Sequence, residues 1–141
     1  MMHTPPPHHR QVWRSALGCM SLILPLLAQA ATPAELAQRY ATEAGQPADA
    51  QRGQQFFTNL HGREWRCASC HGAKPTQTGQ HAATGKAILP LAPAFNPDRF
   101  TDAAKVEKWF RRNCNDVVGR ECTAAEKADV LAWLLTLKVQ P

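Results

Sequence analysis

The chain has 141 residues, 44% of them hydrophobic, and 16 Lys+Arg against 11 Asp+Glu give a formal net charge of +5. That length leaves room for one domain, and the hydrophobic share excludes wholesale disorder. No run of about 20 apolar residues occurs, which excludes a multi-span membrane protein.

The first thirty residues read as a secretory signal peptide rather than as part of the fold. Arg10 and Arg14 form a positive start, residues 16–27 are apolar, and Ala28, Gln29 and Ala30 make a small-x-small cleavage site. An uncleaved anchor is the competing reading, and the apolar run is short for one. A lipid-modified cysteine would follow the apolar run, whereas Cys19 precedes most of it. Cleavage leaves residues 31–141 as the mature domain. It removes Arg10 and Arg14, taking the net charge from +5 to +3. That mild excess does not call for nucleic acid. The exported chain keeps four cysteines, Cys67, Cys70, Cys114 and Cys122, in two close pairs. All three methionines, Met1, Met2 and Met20, lie in the leader, so the mature chain has none.

Residues 34–44 predict a weak helix, with Leu36 and Tyr40 four apart, ended by Gly45, Gln46 and Pro47. Residues 48–60 predict a second, with Asp49 as N-cap and Phe56 and Phe57 on its apolar face. Gly53 inside it costs about 1 kcal/mol against Ala and marks a close approach of another element. Residues 61–91 read as loop, and Pro90, Pro93 and Pro97 exclude regular helix beyond it. A third helix is expected from about Asp102 to Asn113, with Val106, Trp109 and Phe110 on one face. The last helix is the clearest. Thr123 and Glu126 have capping-box spacing, and Val130, Leu131, Trp133, Leu134, Leu135 and Leu137 follow. No segment alternates convincingly as a strand. The expected class is all-α with long loops.

Cys67, Ala68, Ser69, Cys70 and His71 form C-x-x-C-H. This is the attachment spacing of a c-type haem: two thiols for thioether bonds, then an imidazole for the iron. One such motif predicts one covalently attached haem c. Export agrees, since haem c is assembled outside the cytoplasm in bacteria. Three other readings compete. A thioredoxin-like redox pair needs a βαβ setting that the sequence lacks. Zinc would need Cys114 and Cys122 as further ligands at a poor spacing. A plain disulfide between Cys67 and Cys70 is the third.

A helix carrying Gly53 and Phe57 (G-x-x-x-[FY]), then C-x-x-C-H, then a last helix carrying Trp133, resembles a class I cytochrome c. In that family the first and last helices cross closely. Without methionine, the sixth iron ligand is left to His61, His81, an amide, a lysine or an open position. The stretch RFTDAAKVEKWFRRNCNDVVGRECTAAEKADVLAWLL from Arg99 to Leu135, with PLAPAFNPDRF before it, closely resembles the sphaeroides haem protein family. The resemblance covers roughly residues 48–137.

That resemblance implies a small class I cytochrome c fold around one haem and an asparagine beside a disulfide as ligand of ferric iron. The ligand role falls on Asn113, with Asn115 two residues away and His81 as the bis-His alternative. On reduction the asparagine leaves and the iron binds oxygen or nitric oxide. An amide oxygen is a hard, weak ligand, better suited to ferric than to ferrous iron. The resemblance also implies a disulfide between Cys114 and Cys122, a proline carbonyl (Pro90 or Pro93) accepting from the His71 ring, and a dihaem cytochrome c as electron donor. The expected protein is a periplasmic electron-transfer and gas-binding cytochrome, without nucleic acid or stable membrane insertion after cleavage. Its rival is a bis-His low-spin electron carrier. The sequence assigns no enzymatic activity, although bound oxygen reacting with nitric oxide is chemistry open to such a haem.

Overall fold

A computed structural model describes residues 1–3 and 31–140. The segment read as a leader lies, for residues 4–30, outside the described residues. The described residues form five helices and one minimal hairpin: α1 (Pro33–Ala44), α2 (Ala50–Thr58), α3 (Cys67–His71), β1 (Gly79–Gln80), β2 (Ala87–Ile88), α4 (Ala103–Val117) and α5 (Ala124–Thr136). Among the described residues no helix is long and apolar enough to cross a membrane.

Local chemistry sets the helix ends. Thr32 and Glu35 exchange side-chain and backbone bonds at the start of α1, and Pro33 supplies a preset φ. Gly45, at φ +67, closes the helix in the left-handed conformation that glycine adopts without steric cost. The Asp49 carboxylate accepts from the Arg52 N–H and starts α2. At α5 the Thr123–Glu126 capping box closes with bonds of 2.8 and 3.2 Å.

The main helix–helix interfaces join α5 to α1 and to α2. Leu36, Tyr40, Phe57, Leu131, Trp133 and Leu134 are buried in one core cluster. Gly53 sits where α2 crosses α5. A Cβ there would overlap the Asp129 carbonyl, so only glycine lets the two backbones approach this far. Asp129 is buried beside that crossing. Its carboxylate accepts from the Asp49 N–H at 2.6 Å and from the Arg52 guanidinium at 2.8 and 3.0 Å, so the buried charge is paired. A second polar tie spans three helices: the Tyr40 hydroxyl of α1 and the Lys127 ammonium of α5 both donate to Glu107 of α4.

Three features differ from the sequence reading. The expected loop 61–91 contains the one-turn helix α3 and a two-residue antiparallel ladder pairing Gly79 with Ile88 and Gln80 with Ala87. Two ladder rungs are too short to leave an alternation in sequence. Helix α4 runs four residues past Asn113, to Val117. Asparagine is a weak helix former, not a breaker. The break comes later, where the Val118 and Gly119 N–H groups both bond the Cys114 carbonyl and Gly119 takes φ +81. Asn113 and Asn115 therefore lie within the helix rather than terminating it. Trp109, expected on the apolar core face, is 44% exposed, because that face looks into a cavity and not onto another helix.

Candidate haem site

Between α3, the hairpin, the 89–102 segment, α4 and the inner face of α5 lies a cavity of about 1040 Å³. One turn of α3 brings Cys67, Cys70 and His71 to its wall, because positions i, i+3 and i+4 share a helix face. The turn is stabilised at its start by the Arg66 N–H donating to Ser69 Oγ at 3.2 Å. It ends at Gly72, φ +78. Gly79 matters here, although nothing in its sequence neighbourhood singles it out. A Cβ at 79 would overlap the Cys70 carbonyl, so the glycine lets β1 pack against the cysteine-bearing turn. Pro75 is fully buried, and its carbonyl accepts the Leu91 and Ala92 N–H groups, which pins the 89–92 segment beneath α3.

The electrostatics follow from burial. Desolvation raises the Cys67 thiol to about 11, so it is held uncharged. Desolvation, with the Arg99 charge adding to it, drives the His71 imidazole down to about 4, so the ring is neutral and its lone pair is available to a metal. Neither thiol is in a disulfide. Cys70 Sγ accepts the Ala82 N–H at 3.3 Å, which fastens the hairpin turn over it. Behind His71, Phe57 stands 6.0 Å away, ring to ring, and Trp133 stands 4.9 Å from Phe57. The G-x-x-x-F helix, the last helix and the imidazole thus form one continuous apolar stack.

Helix α4 supplies another wall. Val106, Trp109, Phe110, Asn113 and Val117 face the cavity. The structure brings Asn113 into the same cavity as His71. Asn115 lines it as well, with its Nδ2 donating to the Arg111 carbonyl at 2.9 Å. His81 also lines the cavity, with its Nδ1 accepting from the Thr84 N–H at 3.3 Å. His61 does not. Its Nε2 pairs with the Phe56 carbonyl at 2.7 Å and its ring lies against Phe56. Immediately after Asn113, Cys114 is joined by a disulfide to Cys122, with 5.6 Å between the Cα atoms. That bond removes these two cysteines from any zinc set, and among the described residues no cluster of three or more His, Cys, Asp or Glu side chains forms.

The Pro90 carbonyl, one of two acceptors expected for His71, is already taken. It accepts from Asn96 Nδ2 at 3.2 Å and from Arg99 Nε at 2.9 Å. Both lone pairs of that oxygen are engaged, so it has none left for the His71 ring.

These residues fit a covalently bound haem: two unbridged thiols, a neutral imidazole and walls of Phe, Leu, Ile and Val enclosing a large volume. The comparisons agree. A family described as a domain of unknown function (DUF1924) matches residues 43–134. The cytochrome c-type protein SHP of Cereibacter sphaeroides is 54% identical over 114 residues, covering 78% of this chain and 88% of the relative. The chain belongs to the sphaeroides haem protein family. The solved structure of oxidised SHP, described as an oxygen-binding cytochrome c, superposes with a TM-score of 0.71 at 53% identity. It covers 75% of this chain and 97% of that one. Oxidised cytochrome c'' from Methylophilus methylotrophus matches with a TM-score of 0.67 at 39% identity, covering 77% and 97%. The protein is a class I-like, all-α haem cytochrome carrying covalently attached haem c.

Proposed function

We propose that this is a periplasmic monohaem cytochrome that accepts an electron and then binds a small gas, oxygen or nitric oxide, at its iron. The haem supplies the one-electron couple and the coordination position. The chain supplies everything that holds and tunes it. Cys67 and Cys70 would form the thioether bonds, and neutral His71 on α3 would ligate the iron. Asn113, on α4, would be the weak ligand that the ferric iron takes and that reduction would free. Its short amide reaches from a helix face, and no neighbouring side chain holds it by a hydrogen bond among the described residues. Val106 and Phe110 of the same helix would supply apolar surface within the cavity. The Cys114–Cys122 disulfide restricts how far the Asn113 segment can travel.

The observation that carries this reading is that Asn113, from α4, and His71, from α3, line one cavity. SHP, at 54% identity, is a relative whose solved structure is described as that of an oxygen-binding cytochrome, which supports a gas ligand. An electron donor, on the family resemblance a dihaem cytochrome c, completes the cycle.

His81 lines the same cavity with its Nε2 outside the Thr84 bond, and this favours a second reading, a bis-His electron carrier. Absorption spectra of the ferric and dithionite-reduced holoprotein, with and without carbon monoxide, decide. High-spin ferrous bands that shift with carbon monoxide support the Asn113 reading. A low-spin ferrous spectrum indifferent to carbon monoxide sinks it and leaves His81.

A further inference from the structure

Arg99 lies in the segment between Pro97 and α4 and lines the haem cavity. It is only partly exposed, and its guanidinium is fixed at two points on one loop. Nε donates to the Pro90 carbonyl at 2.9 Å, and one terminal nitrogen, Nη2, donates to the Leu89 carbonyl at 2.8 Å. Those bonds use two of five N–H donors. Both acceptors are neutral, so the charge itself is not balanced. Among the described residues no carboxylate lies within ion-pair distance of Arg99. The ion pairs formed are Arg52 with Asp49 and Asp129, Arg111 with Glu121, Arg120 with Glu126, and Lys127 with Glu107. Asp102, three residues on, spends its Oδ1 capping α4 through the Lys105 N–H.

A desolvated cation without a counter-charge is costly, and proteins resolve that cost with a paired anion. Burial weakens the hold of Arg99 on its proton, and its field reaches His71. The remaining donors belong to a side chain held rigid by its loop bonds. A planar fork held this way matches a carboxylate, which it can bind through two parallel N–H bonds.

We propose that Arg99 is the carboxylate-binding residue of the haem cavity, pairing with a propionate of the prosthetic group while clamping the Leu89–Pro90 loop. This rests on the haem reading of the site and extends it. The acidic edge of the haem is thereby directed to the 89–99 side of the cavity, and the cation gains its counter-charge when the cofactor is bound. Arg99 then couples cofactor retention to the order of the loop pinned by Pro75.

Haem staining of denatured wild-type chain is the first step. No stain overturns the haem reading, and this proposal with it. Resonance Raman spectra of the ferrous holoprotein are then compared between wild type and Arg99→Gln. The propionate-bending band is expected to shift in the variant and to stay in place in Arg63→Gln, which removes a different cavity cation. A stained Arg99→Gln protein with an unmoved band overturns this proposal and leaves the haem reading intact. If Arg99→Gln does not fold, the wild-type ferrous carbon monoxide form answers instead, because it is diamagnetic. Nuclear Overhauser contacts between Arg99 side-chain protons and propionate methylene protons support the pairing, and their absence with the rest of the haem assigned overturns it.

Discussion

Gly53→Ala separates two physical forces that predict opposite signs. In an exposed helix the change stabilises by about 1 kcal/mol, because alanine loses less backbone entropy than glycine. At position 53 the added Cβ would overlap the Asp129 carbonyl and crowd the Val130 nitrogen. These are backbone atoms of α5 and cannot rotate aside. Relief requires α2 to lift from α5, which loosens Phe57 against Trp133 and disturbs the Asp129 bonds to Asp49 and Arg52. Overpacking of this kind costs about 1–3 kcal/mol, and the upper half applies where backbone meets backbone. After the propensity gain, the net expectation is a loss of about 1–2 kcal/mol. For a domain of this size that lowers the Tm by roughly 5–15 °C. Thermal unfolding of the holoprotein, followed by far-UV circular dichroism, reads it directly. Gln55→Ala, at an exposed position of the same helix, is the control and should be near neutral. A Gly53→Ala protein as stable as wild type or more so would refute the close-crossing argument.

Replacing Asn113 with Ala should convert the ferric spectrum towards high spin, whereas Asn115→Ala should leave it unchanged. The reverse pattern would move the ligand role to Asn115. Reducing the Cys114–Cys122 disulfide opens a short loop and should cost about 2–3 kcal/mol on the chain-entropy account, read as a lower urea midpoint in the presence of a phosphine reductant. An unchanged midpoint would mean that the staple does not limit unfolding. The polar tie at Glu107 predicts two pH effects of opposite sense. Burial and the Glu107 carboxylate raise the Tyr40 phenol above its usual 10, so its share of stability is complete below pH 10 and is lost as pH rises further. Burial pushes Glu107 upward, but the Lys127 and Tyr40 hydrogen bonds outweigh it and leave the carboxyl lowered. Its share is present above pH 4.5 and is lost as pH falls below that. Tyr40→Phe should flatten the alkaline arm of the stability profile and Glu107→Gln the acid arm, and unaltered arms would contradict the tie.

The chemistry of the site was more legible than its walls. C-x-x-C-H is a contiguous signal, because one helical turn is enough to present all three side chains together. Gly53, Phe57 and Trp133 were legible as a crossing because helix period carries face information over long stretches. Gly79 and Pro75 left no such mark. Gly79 acts by letting one backbone approach another and Pro75 by accepting two N–H bonds from a distant segment, and a glycine in a glycine-rich loop looks the same whether or not it is packed. The end of α4 was misplaced for a related reason. Asn113 resembles a helix terminator when read locally, yet the stop lies at Gly119, and the disulfide holds the intervening turn. Pro90 was one of two acceptors expected for His71, but its carbonyl is claimed by Asn96 and Arg99, whose contacts with it are tertiary.

The attachment of α4 bears on the proposal that Asn113 is a weak ligand both placed and released by this fold. The continuous interfaces of the domain run along α5, against α1 and α2, with Gly53 allowing the tight seam. Helix α4 closes the cavity from the other side and is tied to that frame at separate points. Val106 and Phe110 enter the core cluster near its start, Glu107 meets Tyr40 and Lys127, and Cys114 is bonded to Cys122 just before α5. Asn113 sits one residue from the covalent tie, on a face whose neighbour Trp109 is largely open. A ligand on a long buried seam would need the seam to break before it moved. A ligand beside a staple, on a helix facing a cavity, needs only a local change in side-chain rotamer or helix pitch. On the proposed function, the disulfide would set the return distance and keep the weak amide close enough to recapture ferric iron. Cutting that staple should therefore slow the return of Asn113 on reoxidation more than its departure on reduction. Stopped-flow absorption in both directions, with and without the disulfide, measures the two rates, and equal slowing of both would contradict this account.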